Sequence, residues 1–225
     1  MVNTGGSYNT KYWYKSLIPM KENLFVFTKE QHSLIFGSLL GDGTMRMGKG
    51  SKNANFKVEQ GLDQKEYVFW KYHILKNFVI TKPNVSYRYK VDGTRYAKSW
   101  WFRTIRHPLL TRIYKLFYLG DGYRTGRKII PKQLKNNLDP MAVAIWIMDD
   151  GSYNKECIDI STYSFSIDEV EYLIETMRKK FSVYMKYYKD RDKGYRMYAS
   201  KTETEKIVGI IKPYIISSMR YKIGL

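Results

Sequence analysis

The sequence holds a single cysteine, Cys157, in 225 residues, which excludes an intrachain disulfide. Its three histidines, His32, His73 and His107, stand far apart in sequence from one another and from Cys157, so a zinc finger or a histidine-built metal centre is not expected. Any metal here would be a hard cation held by carboxylates. No run of about 18 apolar residues exists to span or anchor in a bilayer, so no membrane partner is expected. The stretch MVNTGGSYNT at 1–10 lacks the basic-then-apolar order of a secretory signal. Acidic residues are scarce: 21 Asp and Glu stand against 39 Lys and Arg, a formal net charge of +18. An excess that large implies a polyanionic partner, with nucleic acid ahead of a membrane surface.

What is present begins with enough apolar content, 44% with 16% aromatic, for a globular core. Charge is spread along the chain. Residues 1–112 carry 19 Lys and Arg against 7 Asp and Glu, and residues 113–225 carry 20 against 14. Both halves are basic, which fits a long binding face better than a local patch. Two apolar stretches stand out, LIFGSLLGDG at 34–43 and AVAIWIMDDG at 142–151. Each reads as a helix that delivers a carboxylate at its C-terminus, Asp42 in the first and Asp149 or Asp150 in the second. Asp42 and Asp150 lie 108 positions apart, close to half the chain. That spacing suggests one site built twice about an internal pseudo-two-fold axis.

The order of elements supports a repeat. Residues 1–27 read as an N-terminal arm. Thr28 to Gln31 form a capping box that opens the first apolar helix, which glycine stops at 41–43. Strand signals follow at 44–60, then a helix over 63–79 with Tyr67, Trp70, Ile74 and Phe78 inward. Asp92-Gly93 marks a hairpin turn, and Trp100-Trp101-Phe102 breaks the alternation of its second strand, suggesting a bulge or a buried strand end. Pro108 opens a helix over 109–119. Residues 120–137 form a Gly-rich, basic linker. Asp139-Pro140 caps and opens the second apolar helix. An alternating strand lies in 155–163, a capping box at Ser166–Glu169 starts a helix to about Phe181, and a hairpin turns near Lys193-Gly194. A last helix covers about 202–212. The halves are thus 28–119 and 138–225, and each reads helix, two strands, helix, two strands, helix.

Each hairpin offers one apolar face and one face of Lys, Arg, Tyr and Ser that can reach phosphates and base edges. The candidates are Arg88, Lys90, Arg95 and Lys98 in the first half, with Tyr87 and Tyr89, and Lys186, Tyr188, Arg196 and Tyr198 in the second. Gly37 and Gly41 lie four apart on one helix face and permit close approach of another backbone, with Ala144 serving similarly on the second helix. Close crossing would bring Asp42 and Asp150 together. A carboxylate at a helix C-terminus is disfavoured by the backbone dipole, and two side by side are worse. A divalent cation relieves both costs, and metal-activated water makes phosphodiester hydrolysis the implied chemistry.

FGSLLGDG and AIWIMDDG together resemble the paired motifs of the LAGLIDADG homing endonucleases, specifically the single-chain branch with two motif copies. The resemblance covers about residues 28–222. It implies an α+β fold of two pseudo-symmetric αββαββα halves, packed through their motif helices, with saddle-shaped antiparallel sheets on DNA. It implies a monomer that cuts both strands of a long, largely asymmetric double-stranded site across the minor groove, leaving 3′ overhangs. Mg2+ is the implied cofactor, with Mn2+ as substitute and Ca2+ binding without supporting cleavage. The family's metal ligand, the aspartate before the final motif glycine, carries over to Asp42 and Asp150. Its basic residues near the scissile phosphates carry over to Lys128 in RKIIP and Lys222 in MRYK. Its water-positioning polar residue matches Gln60, with Glu59 one step away, and its second-half counterpart falls at Tyr163, where the family often has glutamine. Ile145 replaces the motif's usual glycine, so the crossing is not expected to be symmetrically tight.

Two other functions compete with cleavage: an intron maturase of the same fold that binds intron RNA and assists splicing, and a non-catalytic DNA-binding regulator. Abundant Lys, Tyr, Ile and Asn fit an AT-rich genome, such as that of an organelle or a thermophile, which leaves an organelle and the bacterial cytoplasm open as locations.

Overall fold

The computed structural model describes residues 26–120 and 126–225. Most of the expected arm, and part of the expected linker, lie outside them. The chain forms α1 (Lys29–Leu40), β1 (Thr44–Met47), β2 (Ala54–Gly61), α2 (Lys65–Ile74), β3 (Asn84–Tyr89), β4 (Arg95–Arg103) and α3 (Pro108–Phe117). A short ladder of β5 (Tyr118–Leu119) and β6 (Arg127–Lys128) and a turn of helix, α4 (Leu134–Asn137), lead on. Then come α5 (Pro140–Asp150), β7 (Gly151–Asn154), β8 (Cys157–Ser161), α6 (Ile167–Phe181), β9 (Met185–Lys189), β10 (Tyr195–Ala199) and α7 (Lys201–Ile211).

The two four-stranded antiparallel sheets have matching orders, β1-β2-β4-β3 and β7-β8-β10-β9. The registers also match. Thr44, two residues after Asp42, pairs with Lys57, and Ser152, two after Asp150, pairs with Asp159. The halves are therefore one αββαββα plan made twice.

The central helices show why their sequences lack an amphipathic stripe. On α1, residues 33–40 are all buried, and on α5, residues 141–149 are all buried. A helix that is apolar all round belongs inside a fold. Here α1 and α5 pack on each other between the two sheets, in one continuous core that reaches from Leu34 to Ile223. Their starts are fixed by caps. Thr28 and Gln31 make the reciprocal capping box, and Asp139 accepts the Ala142 N–H at 2.8 Å. The second Asp139 oxygen accepts Ser33 Oγ of α1 at 2.5 Å, which ties the two helix starts together.

Three local expectations are corrected. The segment 63–79 is not one helix: it is α2 between two 3-10 turns, 62–64 and 76–78. Tyr67 and Phe78 are fully buried as expected, together with Val68, Leu75 and the ammonium-bearing Lys71, while Trp70 and Ile74 are only partly buried. The irregularity in β4 lies not at the tryptophans but two residues earlier. Ser86 pairs with Ser99 and Tyr87 with Ala97, so Lys98 is the extra residue. Trp100 and Trp101 sit in regular register against Gln60 and Glu59. Their bulk reflects contacts to long cations: Lys65 lies 5.0 Å above the Trp100 ring and Lys57 5.5 Å above that of Trp101.

Candidate active site at the crossing of the central helices

The crossing is close because glycine stands on one side of it. A Cβ placed on Gly37 would lie 2.4 Å from the Ala142 carbonyl oxygen and 2.9 Å from Ile145 Cβ. One placed on Gly41 would lie 2.5 Å from Asp149 Cβ. The small residue of α5 at this contact is therefore Ala142 rather than Ala144, which is buried but two positions along the helix. The asymmetry read from Ile145 is real: α1 supplies the glycines and α5 the larger side chains.

Both motif carboxylates come out at this end of the crossing. Asp42 follows α1 and is solvent-exposed, while Asp150 is the last residue of α5 and partly buried. Burial pushes the Asp150 pKa up to about 7, and the charges of Asp42 and Asp149 add to the rise. Lys128 and Lys222 oppose it. These two lysines take matching posts. Lys128 Nζ donates to the Gly41 carbonyl at 2.7 Å, and Lys222 Nζ donates to the Gly151 carbonyl at 2.7 Å and the Asp149 carbonyl at 3.5 Å. Each thus holds backbone next to a motif aspartate. Burial lowers the Lys128 pKa, against the pull of Asp150, Asp149 and Asp42.

Asp149 faces the other way. Its carboxylate is buried between the halves and receives Lys71 Nζ at 2.7 and 3.0 Å, the Tyr67 hydroxyl at 2.9 Å and Gln60 Nε2 at 3.1 Å. Burial is the largest influence on its pKa and raises it, while Lys71 and Tyr67 pull it back. Lys71, about 1% exposed, also donates to Ser38 Oγ at 2.9 Å. The same Gln60 amide reaches Asp42 Oδ2 at 3.1 Å. Glu59 points to the opposite face of β2, where it takes Lys57, Lys98 and Ser99. So Asp149 is taken up by contacts between the halves and Asp150 is not, and Gln60, not Glu59, touches Asp42 and Asp149.

The sequence places Tyr67 inward but does not reveal its contact with Asp149, nor the role of Lys71. A signal existed: Lys71 lies four residues after Tyr67, on the face of α2 that turns inward, and a lysine on such a face needs a buried partner. The second-half counterpart of Gln60 is also corrected. The shared register carries Gln60 onto Thr162, not Tyr163. Thr162 is buried and donates to the Tyr195 carbonyl at 2.7 Å. The Tyr163 hydroxyl instead meets Asp190 and Arg196 on the open side of the second sheet.

The open sheet faces carry most of the expected polar residues. In the second half Lys186, Tyr188, Arg196 and Tyr198 share one face by register, and Tyr188, Arg196 and Tyr198 line a hollow of about 590 Å³ there. Arg196 and Tyr188 both engage Asp159 there. In the first half Arg88 pairs with Tyr96, and the bulged Lys98 reaches Glu59, all on the open face. Lys90 sits in the exposed turn. Arg95 does not join them: it pairs with Tyr89 and stacks 3.7 Å above the Tyr87 ring, on the reverse face. The sequence reading also passed over a hollow of about 680 Å³ lined by Lys52, Lys82, Arg103 and Arg106 with no acidic side chain.

Among the described residues no three His, Cys, Asp or Glu gather as a metal cluster. The groups at the crossing suited to a hard cation are the Asp42 and Asp150 carboxylates. An ion held by them would complete its shell with water and phosphate oxygens, which suits magnesium-like ions and not zinc.

Comparison with known proteins agrees with this architecture. The chain is 30% identical over 213 residues to the cytochrome b mRNA maturase bI2 of Saccharomyces cerevisiae, covering 91% of the chain and about half of that protein's length. It is 29% identical over 208 residues to the DNA endonuclease I-ChuI of Chlamydomonas applanata, covering 88% of the chain and 95% of the relative. The fold matches that of the homing endonuclease I-WcaI bound to its DNA recognition sequence, with a TM-score of 0.82 at 24% identity, over 99% and 98% of the two chains. Residues 32–207 match the model of the LAGLIDADG DNA endonuclease family, and the chain belongs to that family.

Proposed function

We propose that the protein is a site-specific DNA endonuclease that hydrolyses one phosphodiester bond in each strand with a divalent metal. The observation that carries this reading is the convergence of Asp42 and Asp150 at the end of the α1–α5 crossing, each beside a lysine-held carbonyl. An Asp150 carboxylate held as high as about pH 7 by burial and by its acidic neighbours is a poor structural element and a good cation site.

Asp42 and Asp150 would hold the metal, one carboxylate serving each strand. A bound Mg2+ or Mn2+ supplies Lewis-acid activation of water and neutralises charge on the phosphate. Gln60 orients Asp42 and the water beside it. Lys128 and Lys222 lie near the phosphates, where an ammonium offsets charge that develops in the transition state. Double-stranded DNA lies along the open faces of both sheets, positioned by Arg88, Lys90, Lys98, Lys186, Tyr188, Arg196 and Tyr198 through phosphate and base-edge contacts. The cuts fall across the minor groove and leave 3′ overhangs, and the two unlike halves read a long, largely asymmetric site as a monomer. The I-DmoI structure, solved with DNA and Mn, has a similar fold with a TM-score of 0.53 at 12% identity and supports the choice of metal class.

The test is selection of cleaved sites from a randomised DNA library with Mg2+, repeated with EDTA and with Asp42→Asn. Metal-dependent cleavage that Asp42→Asn reduces to nicking of one strand supports the proposal. Absence of metal-dependent cleavage across the library overturns it. The similarity to the yeast maturase favours a second reading, binding of structured intron RNA in aid of splicing. Retained intron-RNA binding with no DNA cleavage would be the result for that reading.

A further inference from the structure

Both halves follow one plan, yet the support beneath the two motif aspartates differs. On the Asp42 side, a chain of contacts, buried up to Gln60, runs Ser38–Lys71–Asp149–Gln60–Asp42, and every link is a hydrogen bond or ion pair of 2.7 to 3.1 Å. It crosses between the halves, since Lys71 and Gln60 come from the first and Asp149 from the second. Tyr67 closes it by donating to Asp149. On the Asp150 side none of this exists among the described residues. The position matching Asp149 is Gly41, with no side chain. The position matching Gln60 is Thr162, whose hydroxyl is committed to the Tyr195 carbonyl. The helix matching α2 is α6, whose buried face of Val170, Leu173, Thr176 and Met177 carries no cation.

From this difference we infer that Lys71 and Asp149 are positioning residues for the Asp42 site alone, so that the strand served by Asp42 is cut first. Asp149 anchors the Gln60 amide from behind. The amide is then held against Asp42 Oδ2 before substrate arrives. Lys71 pairs with Asp149 in the interior, where burying a carboxylate without a partner is costly. Preorganisation of this kind accelerates a step because the geometry need not be assembled during reaction. Asp150 has no such anchor and must be ordered by the ion and the DNA.

The inference rests on the nuclease reading and is tested on a site recovered by the library selection, with the two strands labelled separately. Asp150→Asn and Asp42→Asn first identify which strand each site cuts. Wild type should nick the Asp42 strand several-fold faster than the other. Lys71→Met should slow that strand by roughly ten- to a hundredfold, the scale of a small misplacement, and leave the Asp150 strand within about twofold. Lys71→Met leaves a buried carboxylate unpaired and risks misfolding, so the pair Lys71→Met with Asp149→Leu is made alongside. Replacing a buried ion pair with apolar residues of similar volume preserves folding in many proteins. The double variant should melt near wild type and still lose the strand bias. Equal strand rates in wild type, or equal slowing of both strands in a folded double variant, would overturn the inference and leave the nuclease reading standing. Absence of cleavage by wild type would overturn both.

Discussion

Asp150→Asn should make the metal-free protein more stable at neutral pH. Asp150 ends α5, where the helix dipole already disfavours a negative charge. Burial, then Asp42 and Asp149, raise its pKa from the usual 3.8 to about 7. The folded chain therefore holds a proton on this carboxyl that the unfolded chain releases between pH 4 and 7. Where the native state binds more protons, stability falls as pH rises. At about 1.4 kcal/mol per pH unit, the loss reaches roughly 4 kcal/mol by pH 7 and stays at that level above it. Asparagine is neutral throughout and avoids it. Urea denaturation of both proteins in EDTA, from pH 4 to pH 8, should show curves that nearly meet at the acid end and separate by several kcal/mol at pH 8. For a chain of this size that is a melting difference of about 10 °C. Millimolar Mg2+ should narrow the gap at pH 8, because an ion that binds the ionised native site stabilises wild type by mass action and Asp150→Asn much less. Parallel pH profiles for the two proteins in EDTA would refute the electrostatic argument, whatever the effect on cleavage.

Two further outcomes follow from the crossing and the sheets. Gly37→Ala should destabilise the fold by about 1–3 kcal/mol in urea, because its methyl would meet the Ala142 backbone oxygen at 2.4 Å and push the central helices apart. Lys186→Ala should weaken binding to all DNA sequences alike. Its plot of log affinity against log salt should flatten by about 0.9 if the ammonium neutralises one phosphate, as filter binding from 50 to 200 mM salt would show.

Much of the plan is legible in the residues because local chemistry sets it. The caps at Thr28, Asp139 and Ser166 form as expected, since each places a side-chain oxygen on a free helix N–H. The duplicated element order emerges because apolar helices, alternating strands and turn glycines each leave a period or a breaker. The errors cluster where a residue answers to something distant in sequence. The β4 bulge at Lys98 is set by pairing with β3 and by Glu59, which attracts both Lys98 and Ser99. It reverses the face expected for Arg95. Alternation could not choose between Gln60 and Glu59, because the choice depends on Asp42 and Asp149 lying on one side of β2 and, on the other, Lys98 and Ser99 of β4 with Lys57 of the same strand. Lys71 was hidden for the same reason: its partner is 78 residues away. Separation in sequence, rather than burial alone, divides what could be read from what could not.

The unequal sites follow from the geometry of two helices in close contact. Where α1 and α5 cross, facing positions cannot both carry a side chain. Gly37 faces Ile145 and Gly41 faces Asp149, so in both pairs α1 is the smooth partner. A symmetric dimer of one half would need small residues at all four positions and could not place a carboxylate in the interface at all. A single chain escapes that constraint, and this one uses the freedom to send Asp149 into the first half, where Lys71 and Tyr67 receive it. The position of Asp149 is therefore meaningful only with α2 opposite. Exchanging the pair, Gly41→Asp with Asp149→Gly, keeps composition and crossing volume. It aims the carboxylate toward a second half whose α6 offers Val170, Leu173 and Met177 and no ammonium. It also leaves Lys71 buried without its acid. The exchanged protein should unfold at lower urea than Asp149→Gly alone, since it adds a buried unpaired carboxylate to a buried unpaired lysine. Equal or greater stability would mean that the second half can house the charge, and that the one-sided support of Asp42 has no steric origin.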